Sequence, residues 1–163
     1  MKKNAFTLVE LLAVIAILAI LIIIALPNIL KMFNNAKKNS FVTEARSIYK
    51  TAQQRFISDG GTGFCYSNFN AVIDGSQCTS LDMSGRKNVN YLILFGPDGK
   101  IYGQIVTDND YGYTNIPFSN PDGYIPRELS IDNITSEEIT ESFSDDLDVM
   151  VESINDFIYD FFG

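Results

Sequence analysis

The chain has 163 residues, enough for one ordinary domain and an appendage. Its 12 basic and 20 acidic residues give a formal charge of −8, which argues against a surface that coats nucleic acid. Histidine is absent and only two cysteines occur, so the commonest general base and a four-ligand structural zinc site are excluded. We therefore expect a protein that is not an enzyme and needs no metal or cofactor.

A long apolar run lies near the N-terminus. From Phe6 to Leu26 only Thr7 and Glu10 are polar, and these 21 residues would span about 30 Å as a helix. The apolar core of a cleaved secretory signal is shorter. The two lysines that precede the run favour a cytoplasmic N-terminus. The sequence predicts one membrane-spanning helix, with the remainder of the chain outside the cytoplasm.

Glu10 is out of place in a plain membrane anchor. A charge at the bilayer centre costs about 2.5–3.5 kcal/mol, and a charge near one end costs less but is still unfavourable. Two interpretations stand. The carboxylate either reaches the interface from the first turn of the helix or has a functional partner.

The first residues resemble the start of a type IV pilin or pseudopilin. The stretch at 2–12, KKNAFTLVELL, has the family's basic leader, small residue, Phe-Thr-Leu-Val/Ile-Glu-Leu core and apolar run. The resemblance implies that a prepilin peptidase removes the leader, 1–5, by cleaving between Ala5 and Phe6, and methylates the new N-terminus on Phe6. Glu10 and Pro27 then become the fifth and twenty-second mature residues, positions that carry these residue types in the family and serve assembly. Ala5 departs from the usual Gly, which predicts slower processing.

The helical pattern continues beyond the apolar run. Pro27 is expected to kink or locally open the helix, but apolar residues then recur at spacings of three and four until Gly60 and Gly61, a natural stop. These apolar residues are Ile29, Phe33, Ala36, Phe41, Ala45, Ile48, Ala52 and Phe56. We expect one helix over about 6–58, with a transmembrane half at 6–26 and an amphipathic half at 27–58 that packs on the remainder of the chain.

Short strands and turns are predicted in the loop-and-sheet region, 59–127. The apolar runs at 89–95 and 100–107 predict two strands, joined by the turn residues Gly96-Pro97-Asp98-Gly99. Residues 120–123 repeat this turn chemistry. The predicted fold class is α+β, in which the long N-terminal helix packs on a small antiparallel sheet and an amphipathic helix ends the chain.

Cys65 and Cys78 lie in a Gly/Ser/Asn-rich loop after the helix. On the extracytoplasmic side two cysteines favour a disulfide over a catalytic or metal pair. The bridge would close 14 residues and contribute about 3 kcal/mol in the chain-entropy model; the alternative is two buried thiols. Many pilins close a loop near the C-terminus with a disulfide. This chain has no cysteine there, so its C-terminal region must be held otherwise.

The residues Asp108-Asn109-Asp110-Tyr111-Gly112 resemble the opening of a calcium loop. The full pattern requires Glu at its twelfth position, where Ser119 stands. We therefore favour a solvated turn over a calcium site.

The C-terminal segment, 128–163, is strongly acidic. It holds 11 acidic residues and no basic one, for −11, whereas 1–127 holds all 12 basic residues against 9 acidic ones, for +3. Thr135 to Glu138 fit a capping box, and apolar residues follow at helical spacing, which predicts an acidic C-terminal helix of about 28 residues. Its apolar face is expected to pack through Phe143, Leu147, Ile154 and Ile158. Its acids are either solvated or contact a basic partner that relieves their mutual repulsion, and membrane-surface binding is not expected.

Together with these features, the resemblance implies a structural subunit of a type IV pilus-like filament. The resemblance implies a homopolymer of pilin subunits, the prepilin peptidase and the pilus assembly machinery as partners. It also implies a single-pass subunit in the inner or cytoplasmic membrane before assembly and a filament at the cell surface afterwards. The alternatives are a pseudopilin of a secretion or DNA-uptake system, and a monomeric membrane-anchored binding or adhesion module.

Overall fold

The computed structural model describes residues 7–83, 88–116, 128–141 and 147–162, with side chains as far as 155. The chain divides into an N-terminal unit, Met1–Lys37, and a head, Lys38–Gly163. The helices and strands are, in chain order, α1 (Leu8–Ser58), β1 (Cys65–Ser67), β2 (Val72–Ile73), β3 (Ser76–Gln77), β4 (Asn90–Phe95), β5 (Ile101–Thr107), β6 (Tyr111–Asn115), a 3₁₀ helix (Ile131–Asn133), β7 (Thr140–Glu141) and α2 (Leu147–Phe162).

Helix α1 confirms the prediction of one helix that continues past Pro27. Proline removes one backbone donor, so the carbonyl of Ile23 lacks its usual partner four residues on. One missing bond in a helix of 51 residues leaves the neighbouring turns intact.

The head contains a five-stranded antiparallel sheet in the order β1-β4-β5-β6-β7 and a separate β2-β3 hairpin. The predicted β4–β5 hairpin is confirmed, with Asn90 opposite Thr107 at its open end. Gly99 has φ +77°, and the Gly96 amide donates to the Lys100 carbonyl at 2.9 Å. The turn therefore uses Gly where the backbone needs a positive φ.

Apolar cores cover both faces of the sheet, because successive strand side chains point to opposite sides. One core joins α1 to alternate strand residues, and its members include Phe41, Ala45, Ile48, Ala52, Tyr91, Ile93, Phe95, Val106, Tyr111 and Tyr113. The other core contains Cys65, Ala71, Ile73, Cys78, Leu92, Leu94, Ile105 and Ile154, with Leu147, Met150 and Val151 packed against it. Helix α1 thus covers one face, and α2 covers the other.

The packed stripe of α1 begins later than its sequence pattern predicts. Phe41, Ala45, Ile48 and Ala52 are buried as expected, and Phe56 stacks on Phe95 with ring centroids 4.5 Å apart. The earlier members of the predicted stripe, Ile29, Phe33 and Ala36, are exposed. They lie in the N-terminal unit, outside the part of the helix that covers the sheet.

The prediction of a C-terminal helix starting at Thr135 is wrong. Residues Thr140 and Glu141 form β7, which pairs with Gly112 and Tyr111, and α2 begins only at Leu147. A capping box does exist in this segment, but Ser130 and Asn133 form it on the 3₁₀ helix.

The segment before α2 is not helical because three of its apolar side chains are buried in the core that α1 covers. Leu129, Ile134 and Ile139 are all buried in the α1-side core. Ile134 and Ile139 are five residues apart, about 140° away from each other on a helix, so an extended path is needed to bury both. Side chains of α1 hold this path, since Tyr49 donates to the Leu129 carbonyl at 2.8 Å and Arg46 to the Ile134 carbonyl at 2.9 Å.

The predicted packing of the tail is confirmed at Ile154, which is fully buried, and at Leu147, which is half-buried. The other two predicted contacts, Phe143 and Ile158, lie outside the described side chains. The α+β fold class, with its long helix, antiparallel sheet and C-terminal helix, agrees with the structure.

Candidate functional site

The N-terminal half of α1 exposes a continuous apolar surface. Among the described residues, α1 is the one helix long and apolar enough to cross a membrane, and its apolar window is not buried within the chain. Eighteen large apolar side chains at 8–33 are exposed, each by 46% or more. Removing one such side chain from water is worth about 1.5–3 kcal/mol. Lipid or other helices that covered this surface would remove that apolar area from water.

Thr7 and Glu10 cap the start of this apolar helix. The Thr7 amide donates to Glu10 Oε2 at 2.8 Å, and the Thr7 hydroxyl donates to the same oxygen at 2.8 Å. In return the Glu10 amide donates to Thr7 Oγ1 at 3.3 Å. This reciprocal arrangement is a capping box with Thr7 at the N-cap and Glu10 at N3. It satisfies two donors that a helix start leaves without intrahelical partners.

The cap explains how a single copy of the chain tolerates Glu10. The carboxylate accepts hydrogen bonds and lies in the first turn, where the helix dipole favours a negative charge. Both effects are local, and neither removes the charge. A cation close to this turn would gain from the charge when lipid or protein replaces the surrounding water.

The other predicted site residues fall at separate places. Ala5 and Phe6 lie outside the described residues, and Pro27 lies within α1. Cys65 and Cys78 form a disulfide, which excludes the alternative of two free thiols. The pair belongs to the α2-side core and not to the N-terminal segment.

The acidic turn at 108–112 joins β5 to β6. Asp108 Oδ1 accepts hydrogen bonds from the Asp110 and Tyr111 amides at 2.8 and 2.7 Å. This is the local Asx-turn bonding that favours Asp in tight turns. Within the described part of the chain no group of three or more acidic or sulfur side chains is placed to hold a metal ion. Ser119 lies outside it.

Sequence reasoning missed three polar residues that the structure makes prominent. Thr7 could have been found, because Thr-x-x-Glu before an apolar run is the capping-box pattern. Gln104 and Asn155 had no such signal. Gln104 is fully buried and donates to the Ala45 carbonyl of α1 at 2.8 Å, and Asn155 bonds the β2–β3 hairpin. Both contacts join residues far apart in the sequence.

Comparison with known families identifies the N-terminal segment. Residues 1–26 match the prokaryotic N-terminal methylation motif, the signature of type IV pilins and pseudopilins. The match covers the predicted cleavage site, Glu10 and the whole apolar run. No curated protein and no solved structure matches the chain.

Proposed function

We propose that the chain is a structural subunit of a type IV pilus-like filament. The observation that carries the proposal is the exposed apolar surface at 8–33, headed by the methylation motif. Lipid covers this surface while the subunit is stored in the membrane. The same surface of neighbouring subunits covers it after assembly, so that the heads form the outside of the filament.

Cleavage after Ala5 allows neighbouring subunits to replace lipid around the apolar surface at 8–33. Prepilin peptidase cleaves between Ala5 and Phe6 and methylates the amine of Phe6. Cleavage removes Lys2 and Lys3, and the formal charge of the mature chain becomes −10. It also creates a cation next to the capped turn that contains Glu10. Lys2 and Lys3 favour the cytoplasmic side of the membrane, so their removal makes it easier for the N-terminus to leave that side.

The contact that we assign to Glu10 is an ion pair with the Phe6 amine of the same or a neighbouring subunit. Both charges lose water among Leu and Ile side chains, and leaving one charge without a partner there costs several kcal/mol. The pair therefore favours assembly only when the helices are in register. Pro27 leaves the Ile23 carbonyl without its helical hydrogen bond, so the helix can bend or open locally at this point during assembly.

N-terminal mass spectrometry of the chain from its own cells tests the processing step. We expect a mature protein that begins at Phe6 and carries one methyl group. Two variants of the residue before the cut provide matched controls: Ala5→Gly restores the family's usual residue and should speed processing, and Ala5→Leu should block it. A mature protein that keeps Met1 or Lys2 would refute the proposal and favour a monomeric membrane-anchored module.

The second candidate function is a pseudopilin of a secretion or DNA-uptake system, because the same motif heads that class. Both classes share cleavage and the role of Glu10. Electron microscopy of cells carrying and lacking the gene separates them: long surface filaments that disappear with the gene indicate a pilus. Secretion or DNA-uptake loss without long filaments indicates a pseudopilus.

A further inference from the structure

The C-terminal helix is attached mainly to the segment that the disulfide closes. Ile154 of α2 is fully buried in the core that contains Cys65, Cys78, Ala71 and Ile73, all of which lie within or at the ends of this closed segment, 65–78. The disulfide and Ile154 thus belong to the same core. Because Ile154 packs on this segment, its burial depends on the segment keeping its shape.

Asn155 fixes the same segment from its far end. Its amide nitrogen donates to the Val72 carbonyl at 2.8 Å, and its Oδ1 accepts from the Asp74 amide at 2.9 Å. A carbonyl and an amide two residues apart point to the same side of a strand, so the carboxamide pairs with β2 as a neighbouring strand would. Asp74 and Gly75, with φ +49° and +71°, turn the hairpin and hold both backbone groups in place.

The closed segment has little regular structure of its own. Strands β2 and β3 are two residues long each, and a two-stranded hairpin of this size is marginal in water. Its base is held beside the disulfide by two backbone hydrogen bonds: the Ser67 amide donates to the Thr79 carbonyl at 3.0 Å, and the Thr79 amide donates to the Cys65 carbonyl at 3.2 Å. Opening the disulfide leaves the base held by these backbone bonds alone, which lets the hairpin sample conformations that do not fit Ile154 and Asn155.

We propose that α2 docks on the head only after Cys65 and Cys78 are joined, so that the disulfide acts as a checkpoint for closing the C-terminal end. The chemistry is thiol–disulfide exchange with an extracytoplasmic disulfide oxidant. The two thiols lose two electrons and two protons, a bond forms between Sγ of Cys65 and Sγ of Cys78, and the oxidant's disulfide becomes two thiols. A reduced subunit keeps α1 on the sheet but leaves the Leu92 and Ile105 face uncovered.

Hydrogen exchange of the full chain in detergent micelles, followed by mass spectrometry, tests this checkpoint. The oxidised chain is compared with the same chain held in a dithiol reductant and with the paired variant Cys65→Ser/Cys78→Ser. We expect amides of α2 to exchange at least about tenfold faster without the bridge, since local opening sets their protection. Amides of β4 and of α1 beyond Phe41 should keep their protection.

Two results of this experiment would overturn the proposal. Unchanged protection of α2 would mean that the helix docks without the bridge. An equal loss of protection in α2, β4 and α1 would mean that the disulfide stabilises the whole head and controls no separate step.

Two variants of the oxidised chain test the contact of Asn155 itself. Asn155→Ala should speed exchange in both the β2–β3 hairpin and α2. The matched control is Ser153→Ala, because Ser153 is exposed on the same helix and its hydroxyl bonds only the Val149 carbonyl one turn earlier among the described residues. Equal exchange in the two variants would refute the role of Asn155.

Thermodynamic reciprocity supplies an independent measurement. If the bridge favours docking by a given factor, docking must favour the bridge by the same factor. Ile154→Ala weakens docking and should therefore make the disulfide easier to reduce in a graded thiol buffer, by no more than the factor seen in the exchange experiment. A disulfide equally stable in wild type and Ile154→Ala would contradict the coupling.

Discussion

Replacing Glu10 by Gln separates its two contributions, the helix cap and the charge. Gln is a capping-box residue at N3, so Glu10→Gln keeps the reciprocal bonds with Thr7 but removes the negative charge. Glu10→Ala removes both. Thr7→Val removes the hydroxyl from the cap and keeps the charge, which makes it the matched control.

The magnitudes differ enough to separate the two contributions. Loss of a cap costs about 0.5–2 kcal/mol of helix stability. A charge left without its partner in a site poor in water costs about 3–5 kcal/mol, which corresponds to about 10²–10⁴ in an equilibrium constant. We therefore expect Glu10→Gln and Glu10→Ala to lose most filaments alike, and Thr7→Val to keep most of them.

The assay compares immunoblots of the membrane fraction and of filaments sheared from the cells. All three variants should reach the membrane, since none makes the span more polar. Mass spectrometry of the membrane fraction should find each variant cleaved at Phe6, which assigns any loss of filaments to assembly. Normal filaments from Glu10→Gln would show that the charge is unnecessary and would leave only a cap. Normal filaments from Glu10→Ala as well would remove the main support for the proposed function.

Two further predictions concern the head. Leu147→Ala should lower the melting temperature of the full chain in detergent. Its cost in the free energy of unfolding should be below the value of about 2–5 kcal/mol for a fully buried change, because Leu147 is half-buried. The exposed Val149→Ala is its control, and equal melting of both would refute packing at Leu147. Burial, together with the Asp59 carboxylate that accepts from its hydroxyl, raises the pKa of Tyr66 to about 12, so the folded chain keeps a proton that unfolded tyrosine loses near pH 10. This stabilisation is full below pH 10 and is lost as the pH rises from 10 to 12. In denaturant titrations the free energy of unfolding of Tyr66→Phe should therefore fall less steeply over that interval than that of the wild type. Equal slopes for the two proteins would contradict the assignment.

Local signals in the sequence predicted the parts of the fold that local physics decides. The 3.6-residue pattern predicted a helix over about 6–58, and α1 spans Leu8–Ser58; Gly96 to Gly99 predicted the β4–β5 hairpin. The bridge between Cys65 and Cys78 follows from the compartment and the number of cysteines. None of these features depends on knowing what the segment packs against.

The helix predicted to start at Thr135 was wrong because tertiary contacts of the C-terminal segment overrode its helical pattern. Thr135 to Glu138 match the sequence pattern of a capping box, but burial of Ile139 and pairing of Thr140 with Gly112 favour an extended backbone. The residues that pair with the short edge strand β7 lie nearly thirty residues earlier in the chain. A short window of sequence around β7 therefore does not contain its pairing partner. The same limit hid Gln104, whose partner in α1 is 59 residues away.

The geometry at Glu10 also bears on how a cap and an ion pair can coexist on one carboxylate. Both bonds from Thr7 end on Oε2, and among the described residues no bond ends on Oε1. A carboxylate has lone pairs on both oxygens. The amine of Phe6 can therefore pair at Oε1 without displacing the cap, so the proposed assembly contact adds to the helix start instead of competing with it. That addition requires a charged acceptor, which is why Gln is expected to preserve the helix and lose the filament.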